Sequence, residues 1–268
     1  MRSNVFLKTL YDMRRALFWW GLGLFLLSLY YITFYPSMQE SSADLQQMLD
    51  RMPESIRALM GGEVDLTSVE GFLSLEAFSF FYPILLLAFA VSYGAGIIGS
   101  EEENGTLDLL LATPVPRWRV ILEKFGALVV FTVIVLLTIY LGFLVGAQVA
   151  DIEDMDNVFI LEGVLNMLPI TLFFAALALF LTALRSGGRG LALGVTLGLA
   201  AISYLIFSMA EISNIPLWLR RLSPWHYYNG ANLAQAGINA GHTALLLGLT
   251  VLLVGGSLWA FQRRDVGV

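Results

Sequence analysis

The sequence predicts an all-α integral membrane protein with six transmembrane helices, an N-terminal amphipathic helix and a short cytoplasmic helix. Three observations carry that prediction. Of 268 residues, 57% are hydrophobic and 13% charged, against about 45–50% and about 25% in soluble domains. The mean hydropathy is +0.75, and so little charge cannot clothe a soluble surface. Six apolar stretches reach the roughly 20 residues that a helix needs to cross a bilayer. They are Ala16–Tyr35, Ala77–Gly99, Phe125–Val149, Gly163–Leu184, Leu191–Ala210 and Thr243–Phe261, none with an ionised side chain inside. The runs are continuous, as in Leu128–Tyr140, and do not alternate as barrel strands do, so helices are expected.

Residues 3–15 place Phe6, Leu10, Met13 and Leu17 at helical spacing, with Lys8, Asp12 and Arg15 on other faces. That pattern suits an amphipathic helix resting on the inner leaflet and bending into the first span. The first span is long and aromatic, and Phe34-Tyr35-Pro36 follows it in place of a small-residue cleavage site, as in an uncleaved signal anchor. Residues 36–76 form an outer loop. Within it, Ala43–Met60 carries Leu45, Met48, Leu49, Met52, Ile56 and Leu59, interrupted by Pro53, which suits short amphipathic helices on the outer surface. Residues 211–242 are apolar and aromatic but broken by Pro216, Pro224 and several glycines. Such a segment is interfacial or re-entrant, because irregular backbone survives at membrane depth only against protein or water.

Orientation follows from the basic residues. With the N-terminus in the cytoplasm, eleven bases fall inside (Arg2, Lys8, Arg14, Arg15, Arg117, Arg119, Lys124, Arg185, Arg189, Arg263, Arg264) and four outside (Arg51, Arg57, Arg220, Arg221). Acids run the other way, seven inside and fourteen outside. Both termini are therefore expected in the cytoplasm of a cell-membrane protein, with Arg220-Arg221 the local dissent.

Several chemistries are excluded by what the sequence lacks. It has no cysteine and two histidines, His226 and His242, so no thiolate metal site or local metal motif is expected. The net charge of -6 argues against a nucleic-acid partner. Gly94-Ala95-Gly96-Ile97-Ile98-Gly99 matches a dinucleotide fingerprint by letters, but it ends an apolar span and lacks the strand–helix context. Gly142–Gly146 and Gly194–Gly198 have the small-xxx-small spacing that lets membrane helices approach. No phosphate-binding loop exists, Lys8 and Lys124 being the only lysines. Ion-coupled carriers keep charge at depth, and these spans offer none. Any active transport by this chain must borrow its energy from another.

The loop 100–124 is the cytoplasmic segment with the most content. It opens with Glu101-Glu102-Glu103-Asn104-Gly105-Thr106-Leu107 and continues Leu-Leu-Leu-Ala-Thr-Pro-Val-Pro-Arg from Leu109. Gly105 permits a sharp turn, Thr106 suits a helix N-cap, and Pro114 and Pro116 end one helix and start the next. A two-turn helix would carry Leu107, Leu110 and Leu111 on one side, for docking on a partner or resting on lipid.

These residues, with six spans, a broken segment before the last span and the Arg263-Arg264-Asp265 ending, resemble the permease subunits of type-2 ABC exporters over essentially the whole chain. The resemblance implies a half-transporter. Two permeases pair, and each sits on a cytoplasmic ABC ATPase subunit that binds ATP and Mg, with no cofactor on the permease. It also implies an ATPase-coupling role for Glu101, Glu102, Gly105, Thr106, Leu107, Leu110 and Leu111, the glutamates belonging to a cytoplasmic polar network. The expected function is outward movement of an amphipathic substrate (drug, lipid or hydrophobic peptide) by a non-catalytic chain. Phe78, Phe81, Tyr93, Tyr204 and Phe207 are candidates for lining its path. The competing expectations are a membrane scaffold and an ion-coupled carrier.

Orientation is directly measurable, because the native chain has no cysteine. A cysteine at Asp154 is expected to react with an impermeant thiol reagent in intact cells and one at Asp108 is not; the reverse pattern overturns the topology.

Overall fold

In the computed structural model, the structure describes residues 4–50 (side chains to 37), 68–107, 109, 115–152, 155–185, 187–209, 216–228, 230, 233 and 237–264. The described residues form α1 (Val5–Asp50), α2 (Val69–Glu103), α3 (Arg117–Val149), α4 (Asn157–Leu184), α5 (Arg189–Met209), α6 (Leu217–Leu222), α7 (Pro224–Tyr228) and α8 (Ala240–Arg263). Among them no strand occurs. Helices α1–α5 and α8 are long and apolar enough to cross a membrane, so the chain is an all-α membrane protein with six spans among the described residues.

Packing explains where helix ends depart from the apolar runs. Residues 5–15 are the first turns of α1, with no break before the span. Phe6 faces Gly126 of α3, while Met13 and Leu17 pack on the core. Their apolar stripe is thus covered by protein where the sequence suggested the inner leaflet. At the other end α1 continues to Asp50 and α2 begins at Val69, so the connection between them is shorter than the expected 36–76. Residues 51–67 lie outside the described residues. The start of α2 was hidden by Glu70 and Glu76, which interrupt the apolar run. Tyr82–Glu103 alone spans about 33 Å at 1.5 Å per residue, already a bilayer core. The π-helical stretch Leu73–Phe81 therefore extends α2 beyond that length, at the end opposite Glu101-Glu102-Glu103.

Glycines set which helices touch. A Cβ on Gly94 of α2 would lie 2.2 Å from the Ala175 carbonyl oxygen of α4. On α3, a Cβ at Gly142 would lie 2.6 Å from the Phe25 carbonyl oxygen, and one at Gly146 would lie 2.0 Å from Ile32 Cγ2. The Gly142–Gly146 pair is thus the contact surface for α1. Helix α4 is the most enclosed span and α5 the least, at 72% and 17% buried over their most apolar windows. Consistent with that, Gly190, Gly194 and Gly198 of α5 face open space.

The segment before the last span divides in two. Helix α6 buries nothing and exposes Leu217, Trp218 and Leu222. Helix α7 turns back into the bundle, burying Ser223, Trp225 and Tyr228. Trp225 Nε1 donates to the Ala200 carbonyl at 3.0 Å, and Ser223 Oγ donates to the Ser203 carbonyl at 2.8 Å. Ala200 is the twelfth residue of α5, about 16 Å along it from Arg189, so Trp225 reaches the middle of that span. Asn166 of α4 donates to the Tyr228 carbonyl at 2.8 Å, and the Tyr228 hydroxyl donates to the Phe78 carbonyl. The broken backbone is therefore held by α2, α4 and α5, as membrane depth requires.

Gly94→Ala is expected to lower stability by about 1–3 kcal/mol through overpacking, while Gly198→Ala, whose Cβ meets open space, changes it little. Thermal unfolding of the two purified variants in detergent compares them directly.

Candidate functional site: a charged junction at the end of α2

The last turn of α2 is Glu101-Glu102-Glu103. Three carboxylates at a helix C-terminus oppose the helix dipole, so this turn needs cations. Each glutamate receives one from a different helix or helix end. Glu101 pairs with Lys124 of α3 at 2.7 Å. Glu102 pairs with Arg264, just after α8, and accepts the Gly187 amide of the α4–α5 connection at 2.9 Å. Glu103 pairs with Arg189, the first residue of α5. Three consecutive side chains thus fasten the ends of α3, α5 and α8 to α2.

Backbone geometry makes this possible. The Thr106 amide bonds the Glu101 carbonyl at 2.9 Å and the Gly105 amide bonds the Glu102 carbonyl at 3.1 Å. That is the Schellman closure, and Gly105 takes the φ of +65° that it requires. The turn was legible from Gly105. Thr106 contributes more than its place in a cap suggested, because its hydroxyl donates back to the Glu101 carboxylate. Gly99 is needed for a different reason: a Cβ there would meet Arg189 Cβ at 2.7 Å.

The pairs differ in environment. The side chain of Lys124 is only 10% exposed. Beyond Glu101, its amine donates to the Ile97 carbonyl at 3.0 Å, so the buried head group finds both a counter-charge and a hydrogen bond within the protein. Glu102 and Arg264 are at least as enclosed, at 10% and 9%, whereas Glu103 is half exposed. Burial alone draws the Arg264 guanidinium below its usual value, and the facing carboxylate opposes any loss of charge. Arg117 of α3 donates to the Arg264 carbonyl at 2.8 Å. Glu123 accepts the Phe6 amide of α1 at 3.0 Å and Arg119 at 2.6 Å. Contacts at this end of the bundle therefore also draw in α1.

The leucines of the loop separate. Leu107 is 7% exposed and belongs to the core, whereas Leu109 is 71% exposed. Leu107 is thus an anchor of the loop on its own chain and cannot be its docking face. Leu110 and Leu111 lie outside the described residues. Spacing had grouped Leu107 with Leu110 and Leu111 and passed over Leu109, because periodicity finds a common face without saying what covers it.

The five candidate path aromatics do not form one surface. Phe78 is fully buried against Phe143, Phe159 and Gly163, so it is core and lines no path. Phe81 is 41% exposed beside Phe80 and Tyr31. Tyr93, half-buried, packs on Phe89 and Phe131. Tyr204 and Phe207 flank the 216–228 segment, Tyr204 against Trp225 and Phe207 beneath the Arg220 guanidinium.

Glu101→Gln is expected to destabilise the fold by about 3–5 kcal/mol, because it leaves the Lys124 ammonium buried with no counter-charge. Adding Lys124→Met removes that charge and is expected to restore most of the loss. Unfolding of the single and double variants tests the pair; an additive double variant excludes the coupling.

Comparison with known proteins agrees with this architecture. Residues 3–266 match the family described as ABC-2 family transporter protein. The chain is also 29% identical over 229 residues to the probable ABC transporter permease protein NosY of Stutzerimonas stutzeri, covering 79% of this chain and 81% of that protein. A bundle of six apolar helices, closed at one end by a glutamate triplet and matched to this family over nearly its whole length, belongs to the ABC-2 transporter family as the non-catalytic, multi-pass permease component of an ABC transporter.

Proposed function

We propose that this permease exports an amphipathic substrate, driven by ATP and Mg bound on a separate ABC ATPase subunit. Two copies of the chain form the membrane unit, with both termini and the 100–124 loop in the cytoplasm. The observation that carries this reading is the junction beneath the loop. A push on residues 105–116 reaches α2 directly through the Schellman turn, and reaches α3, α5 and α8 through Glu101, Glu102 and Glu103. A loop fastened to four helices is suited to convert a nucleotide-driven movement into rearrangement of the spans.

Leu109 is the leading docking contact in this reading, with Leu110 and Leu111 beside it, and Leu107 holds the loop to the bundle. An apolar substrate fits spans whose half-buried and exposed side chains are aromatic and aliphatic. Tyr204 and Phe207, next to the re-entrant α7, are the best placed of the proposed path residues.

Burying a leucine contributes roughly 1.5–3 kcal/mol, and about 1.4 kcal/mol is ten-fold in affinity. Leu109→Asp and Leu110→Asp are therefore each expected to weaken binding of the partner ATPase at least ten-fold and to reduce coupled transport to match. The purified chain alone is expected not to turn over ATP. Reconstitution with the ATPase measures all three; intact association and transport in both variants would assign the loop to a lipid-resting role and favour a scaffold.

A further inference from the structure

The exposed face of the first turns of α1 lies beside the junction, with Lys8 within electrostatic range of Glu101 and Lys124, and is not used in the reading above. Helix α1 runs antiparallel to α2 along its length. The Phe6 amide reaches Glu123, next to the Lys124 that pairs with Glu101. Trp20 meets Phe89 at 5.6 Å, and Ser28 meets the Tyr82 hydroxyl at 2.6 Å. Arg14 and Arg15 therefore stand between the level of the charged junction and that of Phe89, roughly 12 Å along the helix from Phe6. Both are exposed, as are Lys8 and Tyr11. The same face continues into Phe18 and Trp19, 60% and 69% exposed, and then Leu22 and Leu26, as a lipid-facing surface should.

Exposed guanidinium groups at that depth are costly without an anion or a way back to the headgroups. Arg14 shows the way back. It folds towards the helix start, its guanidinium 3.6 Å from the Tyr11 ring centroid and donating to the Tyr11 carbonyl at 2.7 Å. This is snorkelling geometry, with the cation held against an aromatic ring. Asp12 is the one carboxylate among Lys8, Arg14 and Arg15, so the stretch keeps a positive excess.

We propose that this face of α1, formed by Lys8, Tyr11, Arg14, Arg15 and Trp19, binds the headgroup of an anionic phospholipid in the leaflet at the Glu101 end of the bundle. Charge complementarity selects the headgroup, and the apolar face above it receives the acyl chains. Calling that leaflet cytoplasmic rests on the orientation proposed above, but the site does not depend on coupling to an ATPase.

Native mass spectrometry of the purified full chain, titrated with phosphatidylglycerol or phosphatidylcholine, reads the selectivity directly. The native chain is expected to retain phosphatidylglycerol preferentially. Arg14→Gln with Arg15→Gln is expected to weaken that retention about five-fold or more, near the effect of losing one or two bases at an anionic surface. Arg15→Gln alone leaves the Arg14–Tyr11 contacts intact and is expected to give a smaller loss in the same direction, which keeps the test open if the double variant fails to fold. Equal retention of the two lipids, or no change in either variant, overturns the proposal. So does efficient disulfide formation between copies carrying Arg15→Cys in native membranes, which would show that a second copy covers this face.

Discussion

Lys124 carries the constraint on which the rest of the structure depends. It is an amine enclosed by protein two turns into α3, and burial of an ionisable group is tolerated only where a counter-charge and hydrogen bonds replace water. Glu101 and the Ile97 carbonyl supply them, and both belong to α2. The position of α3 against α2 is therefore fixed by electrostatics at one end, where apolar side chains facing a lipid solvent provide little direction of their own. Glu102 and Glu103 extend the arrangement to α8 and α5. Above the junction, directional information passes to shape: Gly94 against Ala175, and Gly142 and Gly146 against α1.

Charge at one end and close glycine contacts along the middle make α1, α2, α3 and α4 the well-fastened part of the molecule. Helix α5 is different. It is attached at its first residue through Arg189 and along its middle through hydrogen bonds from Ser223 and Trp225, with much of its remaining surface open. Regions with few buried contacts are those that move at least cost. Helix α5 thus forms the compliant part of the bundle, and Tyr204 and Phe207 lie within it.

The six spans were legible because continuous apolar runs are a strong, local signature. Their ends were less so. Glu70 and Glu76 cut the apparent second span short, although helix geometry continues past the apolar limit. Met13 and Leu17 were read as an amphipathic stripe without any indication that protein would cover it. At the junction, Glu101 and Glu102 were identified through the resemblance carried by the block around Gly105. Their partners Lys124, Arg189 and Arg264 lie up to 162 residues away in the chain, and pairing across such separations leaves no local pattern. Lys124 offered a hint as one of two lysines placed at the mouth of an apolar run. The fate of Leu107 offered none, since a leucine on an anchoring face and one on a docking face are the same letter at the same spacing.

The order in which the cations appear along the chain has a consequence for biogenesis. Glu101 and Lys124 sit on the two arms of the hairpin formed by α2 and α3, so that pair can close as soon as the hairpin has emerged. Glu103 must wait for the start of α5, and Glu102 for the residue that follows α8. Until then their carboxylates stay hydrated at the membrane surface, which favours neither premature burial nor a wrong partner. The junction is completed only once the six described spans are in place, so its closure follows the insertion of α8.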